Sequence, residues 1–249
     1  MIQTKHLSKY FDQQQVLFDI NLDLIKGKCN LIIGQSGSGK TVLMKCLVGL
    51  FKPEEGEILF NGRDFVHADK ETLSNIRKEI GMVFQGGALF DSLTVLENVI
   101  FPLNMFSSMS LNEKIEQARF CLHRVNLDKV ETLLPASLSG GMKKRVAIAR
   151  AIVSNPKYLF CDEPNSGLDP RTSALIDELI AEITEEYHTT TVINTHDMNS
   201  VLQIGDYVNF IFEGKLWWQG NKTNIFEADN AEIIHFMEAS ELTRRLLKK

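Results

Sequence analysis

The segment from Gly34 to Thr41, GQSGSGKT, has the residue types and spacing GxxxxGK[ST] of a phosphate-binding loop. Its glycines allow backbone N–H groups and a helix N-terminus to surround a phosphate. Lys40 is predicted to neutralise the β- and γ-phosphates of a nucleotide, and the hydroxyl of Thr41 to ligate Mg²⁺. The predicted nucleotide-binding residues of this loop are Gly34, Ser36, Gly37, Ser38, Gly39, Lys40 and Thr41. The alternative, a flexible glycine turn, is disfavoured by the strand-like and helix-like segments on either side.

Two adjacent acids provide the second element of a phosphate-handling site. Asp162 and Glu163 end the apolar run 158–161, which is predicted to be a buried strand. In open α/β sheets, ligands bind at the carboxyl edge where such strands end. We therefore expect Asp162 to complete the Mg²⁺ shell and Glu163 to polarise an attacking water. The alternative is two solvated loop acids.

Changes in hydrophobic period define the elements that would position these residues. Residues 18–24 alternate apolar and polar side chains, which predicts a half-buried antiparallel strand. Residues 41–50 and the segment that begins at Asp169 and Pro170 have helical spacing. From residue 86 to 138 the spacing is helical, with a capping box at Ser110 and Glu113. Further strands are predicted at 30–33, 158–161 and 189–194, with a hairpin at 207–219, so the fold class is α/β with a helical insertion.

Composition excludes several classes of function. The 249 residues are 44% hydrophobic and 24% charged, which is typical of a folded chain with a sizeable core. The net charge of −5 lacks the basic excess of most nucleic-acid-binding surfaces, so no nucleic-acid partner is expected. No apolar run approaches the ~20 residues of a membrane span. The four cysteines have no metal-ligand spacing and are predicted to be buried, reduced thiols of a cytosolic protein: Cys29, Cys46, Cys121 and Cys161.

Residues 138–142, LSGGM, resemble the signature segment of ABC ATPases, in which the fifth residue is usually glutamine. The resemblance implies that Ser139, Gly140 and Gly141 contact the γ-phosphate of a nucleotide held by a second copy of the chain. A serine followed by a glycine-led helix start is suited to bind an anion, although a simple N-cap is the alternative. Met142 departs from the usual pattern and continues an apolar stripe, so core packing is its expected role.

The same resemblance implies roles for four further residues. Gln85 matches the glutamine that senses Mg²⁺ and the attacking water, and would be both a catalytic residue and a metal ligand. Asp169 matches an aspartate at the dimer interface, and His196 matches the histidine that contacts the γ-phosphate. Phe11 lies where the family has an aromatic residue stacked on adenine, and core packing is its alternative.

The resemblance covers about residues 11–220 and implies a P-loop NTPase fold. It predicts a RecA-like core, an antiparallel β subdomain and an inserted α-helical subdomain. The ATP-binding domain would span 1–237, with the helical insert at about 86–138 and a helical tail at 238–249. The tail would pack on its own domain, on another subunit or on a membrane surface.

Residues 83–103 resemble one branch of this family, the ATPases of Mla and Mce-type phospholipid transporters. The shared features are the run GALFDS, the following TV and ENV, the sequence FPL, and Met142. This branch implies ATP and Mg²⁺ as cofactors, a head-to-tail ATP-sandwich homodimer, membrane permease subunits and a periplasmic Mce-domain subunit. It places the protein on the cytoplasmic face of the inner membrane. The alternatives are another ABC transporter or a non-transport transmembrane signalling complex. Ala88, Leu89 and Phe90 would contact the permease or pack in the core.

Overall fold

The computed structural model describes residues 1–240 and 243–244 of the chain. Two sheets and a set of helices make up these residues. The strands are β1 (Ile2–Phe11), β2 (Gln14–Leu24), β3 (Cys29–Ile33), β4 (Glu55–Phe60), β5 (Arg63–Asp64), β6 (Ile80–Val83), β7 (Tyr158–Asp162), β8 (Thr190–Thr195), β9 (Tyr207–Phe212) and β10 (Lys215–Gly220). The α-helices are α1 (Lys40–Leu47), α2 (Lys70–Lys78), α3 (Val95–Phe106), α4 (Leu111–Arg124), α5 (Gly140–Ile152), α6 (Pro170–Tyr187), α7 (Met198–Ile204) and α8 (Ala231–Glu238).

The larger sheet has the strand order β10-β9-β3-β8-β7-β6. Its inner strands are parallel, and β10 pairs antiparallel with β9 as the predicted hairpin. Every residue of β3 is buried, because helices or the second sheet cover both faces of the parallel strands. Leu31 and Ile33 pack in one core cluster, whereas Ile32 points to the other. The carboxyl ends of β3, β6, β7 and β8 therefore meet at one edge, where the predicted site residues begin.

The smaller sheet is antiparallel, in the order β2-β1-β4-β5. Ile20, Leu22 and Leu24 of β2 are buried and the polar residues between them are exposed, which confirms the predicted half-buried strand. This sheet packs with α1 on one face of the larger sheet. Together the two sheets and their helices form the α/β fold predicted from the sequence.

Helices α3 and α4 lie in the chain between β6 and β7. The predicted capping box at Ser110 and Glu113 begins α4, and a second capping box at Thr94 and Glu97 begins α3. α3 packs on α5 and contributes to the same core as the parallel strands. The boundaries predicted for a helical insert, about 86–138, remain a prediction.

Two predicted segments differ from the structure. The helix expected at 41–50 starts at Lys40 and ends at Leu47, because residues 48–50 turn and Gly49 takes a φ of +74°. At the C-terminus, α8 ends at Glu238, and most of the tail predicted to be helical, 238–249, lies outside the described residues.

All four cysteines are buried and free, and burial raises the pKa of the Cys46 thiol to about 12.

Candidate functional site

The phosphate-binding loop connects β3 to α1 and requires its glycines for identifiable reasons. A side chain at Gly34 would place its Cβ 2.2 Å from the carbonyl oxygen of Ile211. Gly39 caps α1 with a φ of +103°, a conformation that side chains disfavour. The chain can therefore turn tightly into the helix and direct backbone N–H groups toward one point.

Lys40 and Ser38 place polar groups within this loop. Lys40 is 5% exposed, and its Nζ donates to the carbonyl oxygens of Gly34 and Gln35, each at 2.8 Å. Burial lowers the pKa of Lys40, against the attraction of Glu163 and Asp162. The hydroxyl oxygen of Ser38 is buried without a hydrogen-bond partner among the described residues. A buried ammonium and an unpaired hydroxyl in a glycine cradle are suited to receive phosphate oxygens.

Asp162 ends β7 next to Thr41 and Asn194. The side-chain amide of Asn194 donates to Asp162 Oδ1 at 2.6 Å and to Thr41 Oγ1 at 3.3 Å. Burial raises the pKa of Asp162, so a cation beside it would stabilise the ionised carboxylate. Asn194 Oδ1 is itself buried without a partner in the described part of the chain. This set of hard oxygen donors fits Mg²⁺.

Glu163 is the centre of the predicted catalytic group. His196 Nδ1 lies 3.0 Å from Glu163 Oε1, and Gln85 Nε2 donates to Glu163 Oε2 at 3.3 Å. These three side chains follow β7, β8 and β6, so the sheet edge brings together residues that are far apart in sequence. They surround a place where a water could be held and deprotonated beside the phosphate-binding loop.

The sequence did not single out four residues that contact this group or the chain that follows Gln85. The Nζ of Lys144 donates to the main-chain carbonyls of Gln85 and Glu163, and burial lowers the pKa of Lys144. The hydroxyl of Ser166 accepts from Gln85 Nε2 at 3.4 Å. Asn194 is the third, and its polarity at the end of an apolar strand was an available signal. Arg150 is the fourth: its guanidinium donates to the carbonyls that follow Gln85, at Gly87 and Ala88.

An open cavity of about 550 Å³ lies beside the predicted catalytic group. Glu163 and His196 line it together with the turn that leads to α6 and the end of α8. Ser139 and Asp169 do not line it. Ser139 is exposed and caps α5 by accepting from Met142 N at 3.2 Å, while Asp169 caps α6 by accepting from Thr172 N at 3.1 Å.

The signature glycines and Phe11 do not line this cavity either: Gly140 and Phe11 are exposed and Gly141 is half-buried. A Cβ at Gly141 would lie 2.8 Å from the Thr172 methyl group, so α5 and the start of α6 are in close contact there. Phe11 is 39% exposed and packs edge-to-face on Phe51, with a centroid distance of 5.3 Å. Met142 is half-buried against the main core, as predicted.

A second polar cluster supports the turn between Glu163 and α6. Asp177 is buried within α6 and accepts from Asn165 Nδ2 at 2.7 Å. The same amide contacts the Ser200 hydroxyl on α7 at 3.2 Å. Asn165, in the loop after Glu163, is thereby bonded both to Asp177 on α6 and to Ser200 on α7. Because α7 follows the loop that carries His196, this cluster connects the two loops. The helical spacing of α6 does not indicate that Asp177 is buried or that it bonds to Asn165.

Known proteins share this fold. Residues 17–166 match the family model described as ABC transporter. The chain is 34% identical over 238 residues to the intermembrane phospholipid transport system ATP-binding protein MlaF of Haemophilus influenzae, covering 96% of this chain and 90% of that one. It is 38% identical over 237 residues to the methionine import ATP-binding protein MetN of Latilactobacillus sakei, covering 94% and 69%. It is 34% identical over 241 residues to a probable ribonucleotide transport ATP-binding protein, mkl, of Mycobacterium leprae, covering 97% and 70%.

Solved structures agree with the family match. The dimeric post-hydrolysis structure of the ATP-binding cassette MJ0796, bound to ADP and phosphate, superposes with a TM-score of 0.81 at 33% identity. It covers 89% of this chain and 99% of that one. Among the described residues, no helix has both the length and the apolar character needed to cross a membrane. With a phosphate-binding loop, an acidic pair and a family match over more than half its length, the chain belongs to the ABC transporter family, as an ATP-binding subunit that hydrolyses ATP.

Proposed function

We propose that this subunit powers phospholipid transport by ATP-driven closure of a dimer of two copies, which moves membrane permease subunits docked on it. One observation carries the proposal. Gln85 donates to the catalytic Glu163, and the chain that follows Gln85 directly lines an exposed apolar groove. A change around the terminal phosphate would therefore reach a docked partner through the few residues between Gln85 and the groove.

The catalytic residues have separate tasks in the proposed reaction. Glu163 accepts a proton from the attacking water, whose oxygen forms a bond to the γ-phosphorus as the bond to the β-phosphate oxygen breaks. His196 and Gln85 hold Glu163 and orient the water, and Lys40 neutralises phosphate charge. Thr41, Asp162 and Gln85 would hold Mg²⁺, which when bound neutralises negative charge on the phosphate oxygens.

The signature segment supports a site shared between two copies. Ser139, Gly140 and Gly141 begin α5 at the surface, outside the cavity beside Glu163. The N–H groups at a helix N-terminus carry partial positive charge, so this exposed helix start is suited to the γ-phosphate held by a second copy. Asp169, at the exposed start of α6 close to this segment, would lie at the same interface. The arrangement is a head-to-tail dimer with two ATP molecules between the copies. In each copy, Phe11 would stack on adenine.

The apolar groove is the proposed docking site for a permease helix. Its volume is about 440 Å³, and its apolar lining residues are Ile80, Met82, Phe84, Ala88, Phe90, Phe101, Pro102, Met105, Phe106 and Ala151. Phe90 packs on Phe101 with ring centroids 4.6 Å apart. The buried side-chain amide of Asn98 accepts from the Phe90 N–H and donates to the Phe90 carbonyl oxygen. The groove is therefore a preformed apolar surface suited to the nonpolar face of an amphipathic helix.

The structure separates the three apolar residues that were expected to act together. Ala88 and Phe90 line the groove, whereas Leu89 is half-buried and packs against the main core. The φ of Ala88, +47°, turns the chain so that consecutive side chains take different directions. Leu89 thus follows the alternative of core packing, and a substitution there would test folding as well as docking.

Two features support phospholipid as the substrate. The segment that forms the groove is also the one that resembles the Mla and Mce-type branch, and the relative from Haemophilus influenzae is named for intermembrane phospholipid transport. On this proposal a periplasmic Mce-domain subunit completes the assembly. The ATPase is held at the cytoplasmic face of the inner membrane by its permease.

Methionine import is the second candidate. The relative named for methionine import has a higher identity, 38%, than the relative named for phospholipid transport, 34%. Both candidates require the same dimer, loops and docking groove. They differ in the permease and in the cargo, so a transport measurement separates them.

The test uses the complex purified from membranes through this subunit and reconstituted into vesicles. We expect ATP-dependent transfer of labelled phospholipid between vesicles and no uptake of labelled methionine. Met105→Asp, at a groove residue that is 61% exposed, should release the permease and abolish transfer while ATP binding persists. Leu111→Asp is the matched control, since Leu111 is 66% exposed on α4 and does not line the groove.

Each part of the proposal has a contrary result. ATP-dependent methionine uptake without phospholipid transfer would assign the second candidate. Normal permease retention by Met105→Asp would remove the groove as the docking site. Equal loss in both variants would show that an added carboxylate at either surface disturbs the subunit, and would also remove the groove assignment.

A further inference from the structure

Lys144 lies within α5 and is 6% exposed, which is rare for a lysine. Its Nζ donates to the carbonyl oxygen of Gln85 and, at 3.3 Å, to the carbonyl oxygen of Glu163. A buried ammonium must find such acceptors, because an unpaired one is very costly away from water. Both acceptors belong to the main chain of catalytic loops, at residues that bond to each other through their side chains.

The main chain at Glu163 requires support. Its φ of +45° is left-handed, a conformation that non-glycine residues adopt at an energetic cost and that surrounding contacts must maintain. The Glu163 N–H donates to the carbonyl oxygen of Asn194 at 2.9 Å, and the Glu163 carbonyl accepts from Ser166 N at 3.1 Å. Lys144 is the side-chain donor to that same carbonyl. Together these bonds hold the two peptide planes on either side of the Glu163 Cα, and hence the direction in which the carboxylate points.

The N-terminus of the same helix carries the signature segment. Ser139 is the N-cap of α5, and Lys144 is five residues further along, about 8 Å at the helical rise per residue. The helix between them is continuous, so a displacement of its N-terminus moves Lys144 with it. Ser139 is exposed at the surface where the second copy is proposed to bind, whereas Lys144 reaches the catalytic loops of its own chain.

We infer that Lys144 is a positioning residue that links the two ATP sites of the dimer: contact of Ser139 with the nucleotide of one site is passed along α5 to Glu163 and Gln85 of the other. This inference rests on the proposed shared-site dimer. Lys144 touches neither ATP nor the attacking water. It acts by holding two carbonyl oxygens, and through them the direction of the Glu163 carboxylate and the start of the segment that lines the groove.

Substitution of the ammonium should slow turnover and leave ATP binding intact. Lys144→Met keeps the apolar stem and removes all donors, so we expect a fall in kcat of about tenfold or more, with the Kd for ATP within about twofold of wild type. Lys144→Gln, too short to reach both carbonyls, should be similarly slow. Lys144→Arg, which retains charge and donors, should restore at least about a third of wild-type kcat.

The matched control is Lys143→Met, the same change one residue earlier on the same helix. Lys143 is half-buried, and its side chain makes no hydrogen bond to either catalytic loop among the described residues. It should keep wild-type kcat. A second measurement is amide hydrogen exchange at 163–166, which should be faster in Lys144→Met at an unchanged melting temperature, since the loop has lost one of its bonds.

The outcomes are distinct. Wild-type kcat in Lys144→Met or in Lys144→Gln would overturn the inference. So would a folded Lys144→Arg as slow as Lys144→Met, because the residue would then act through its shape and not through its donors. If Lys144→Met has a lower melting temperature than wild type, the kcat of Lys144→Gln tests the inference in its place. Failure of the proposed function would appear elsewhere, as a wild-type protein that hydrolyses ATP without forming a dimer.

Discussion

Asp177→Asn is expected to stabilise the protein at neutral pH and to lose this advantage in acid. Asp177 is 2% exposed, and burial raises its pKa from 3.8 to about 6, against the hydrogen bonds from Ser200 and Asn165. Asparagine has the same shape and can still accept from the amide of Asn165.

The magnitude follows from the shift in pKa. The difference between 3.8 and about 6 is roughly two pH units, and each unit corresponds to about 1.4 kcal/mol. The folded protein binds this proton more tightly than the unfolded chain, so stability falls as the pH rises from about 4 to about 6. Above that window the ionised carboxylate costs the folded state about 3 kcal/mol, and below it the cost is absent. The neutral amide of Asp177→Asn never has this cost.

Urea unfolding at several pH values tests this reasoning. We expect Asp177→Asn to exceed wild type in unfolding free energy by up to about 3 kcal/mol near pH 7.5, with the difference vanishing near pH 4. Glu178→Gln is the control, since Glu178 is the exposed neighbour on α6 and its neutralisation should change little. A variant no more stable than wild type at neutral pH would refute the account of Asp177, as would a difference independent of pH.

The remaining predictions concern the nucleotide. Lys40→Ala should abolish ATP binding in calorimetry, because the loop loses the ammonium that neutralises phosphate charge; unchanged affinity would remove the phosphate-site assignment. Ser139→Arg should retain ATP binding by the monomer and lose hydrolysis, because a bulky side chain would occupy the place proposed for the γ-phosphate of the second copy. Continued hydrolysis by Ser139→Arg would show that the signature segment is not part of the shared site.

The sequence predicted those parts of the site that depend on local order. A phosphate-binding loop is a contiguous segment whose glycines and lysine have fixed spacing, and residues after parallel strands must meet at one edge of the sheet. Gln85, Glu163 and His196 therefore converge as the strand order requires. The α/β fold with its antiparallel sheet was confirmed for the same reason, since alternation and buried runs report directly which faces are covered.

Other residues could not be found in this way, because their partners are distant in sequence. Lys144 has helical spacing like any solvated lysine, and its acceptors are backbone carbonyls on two other loops, 59 and 19 residues away. Asp177 is buried because α7 packs beside it, which the period of α6 does not show. Leu89 and Phe90 are adjacent apolar residues with different surroundings, decided by the left-handed turn at Ala88.

We propose that two copies enclose ATP and that Glu163 is needed to release them by hydrolysis. Glu163→Gln keeps the side-chain shape and removes the proton acceptor, so bound ATP should persist. Light scattering during size-exclusion chromatography, with nucleotide analysis of the same peak, gives the direct test. We expect Glu163→Gln with MgATP to elute at twice the mass of one chain and to carry two ATP molecules per dimer. A single-chain mass with ATP bound, or near-normal hydrolysis, would contradict it.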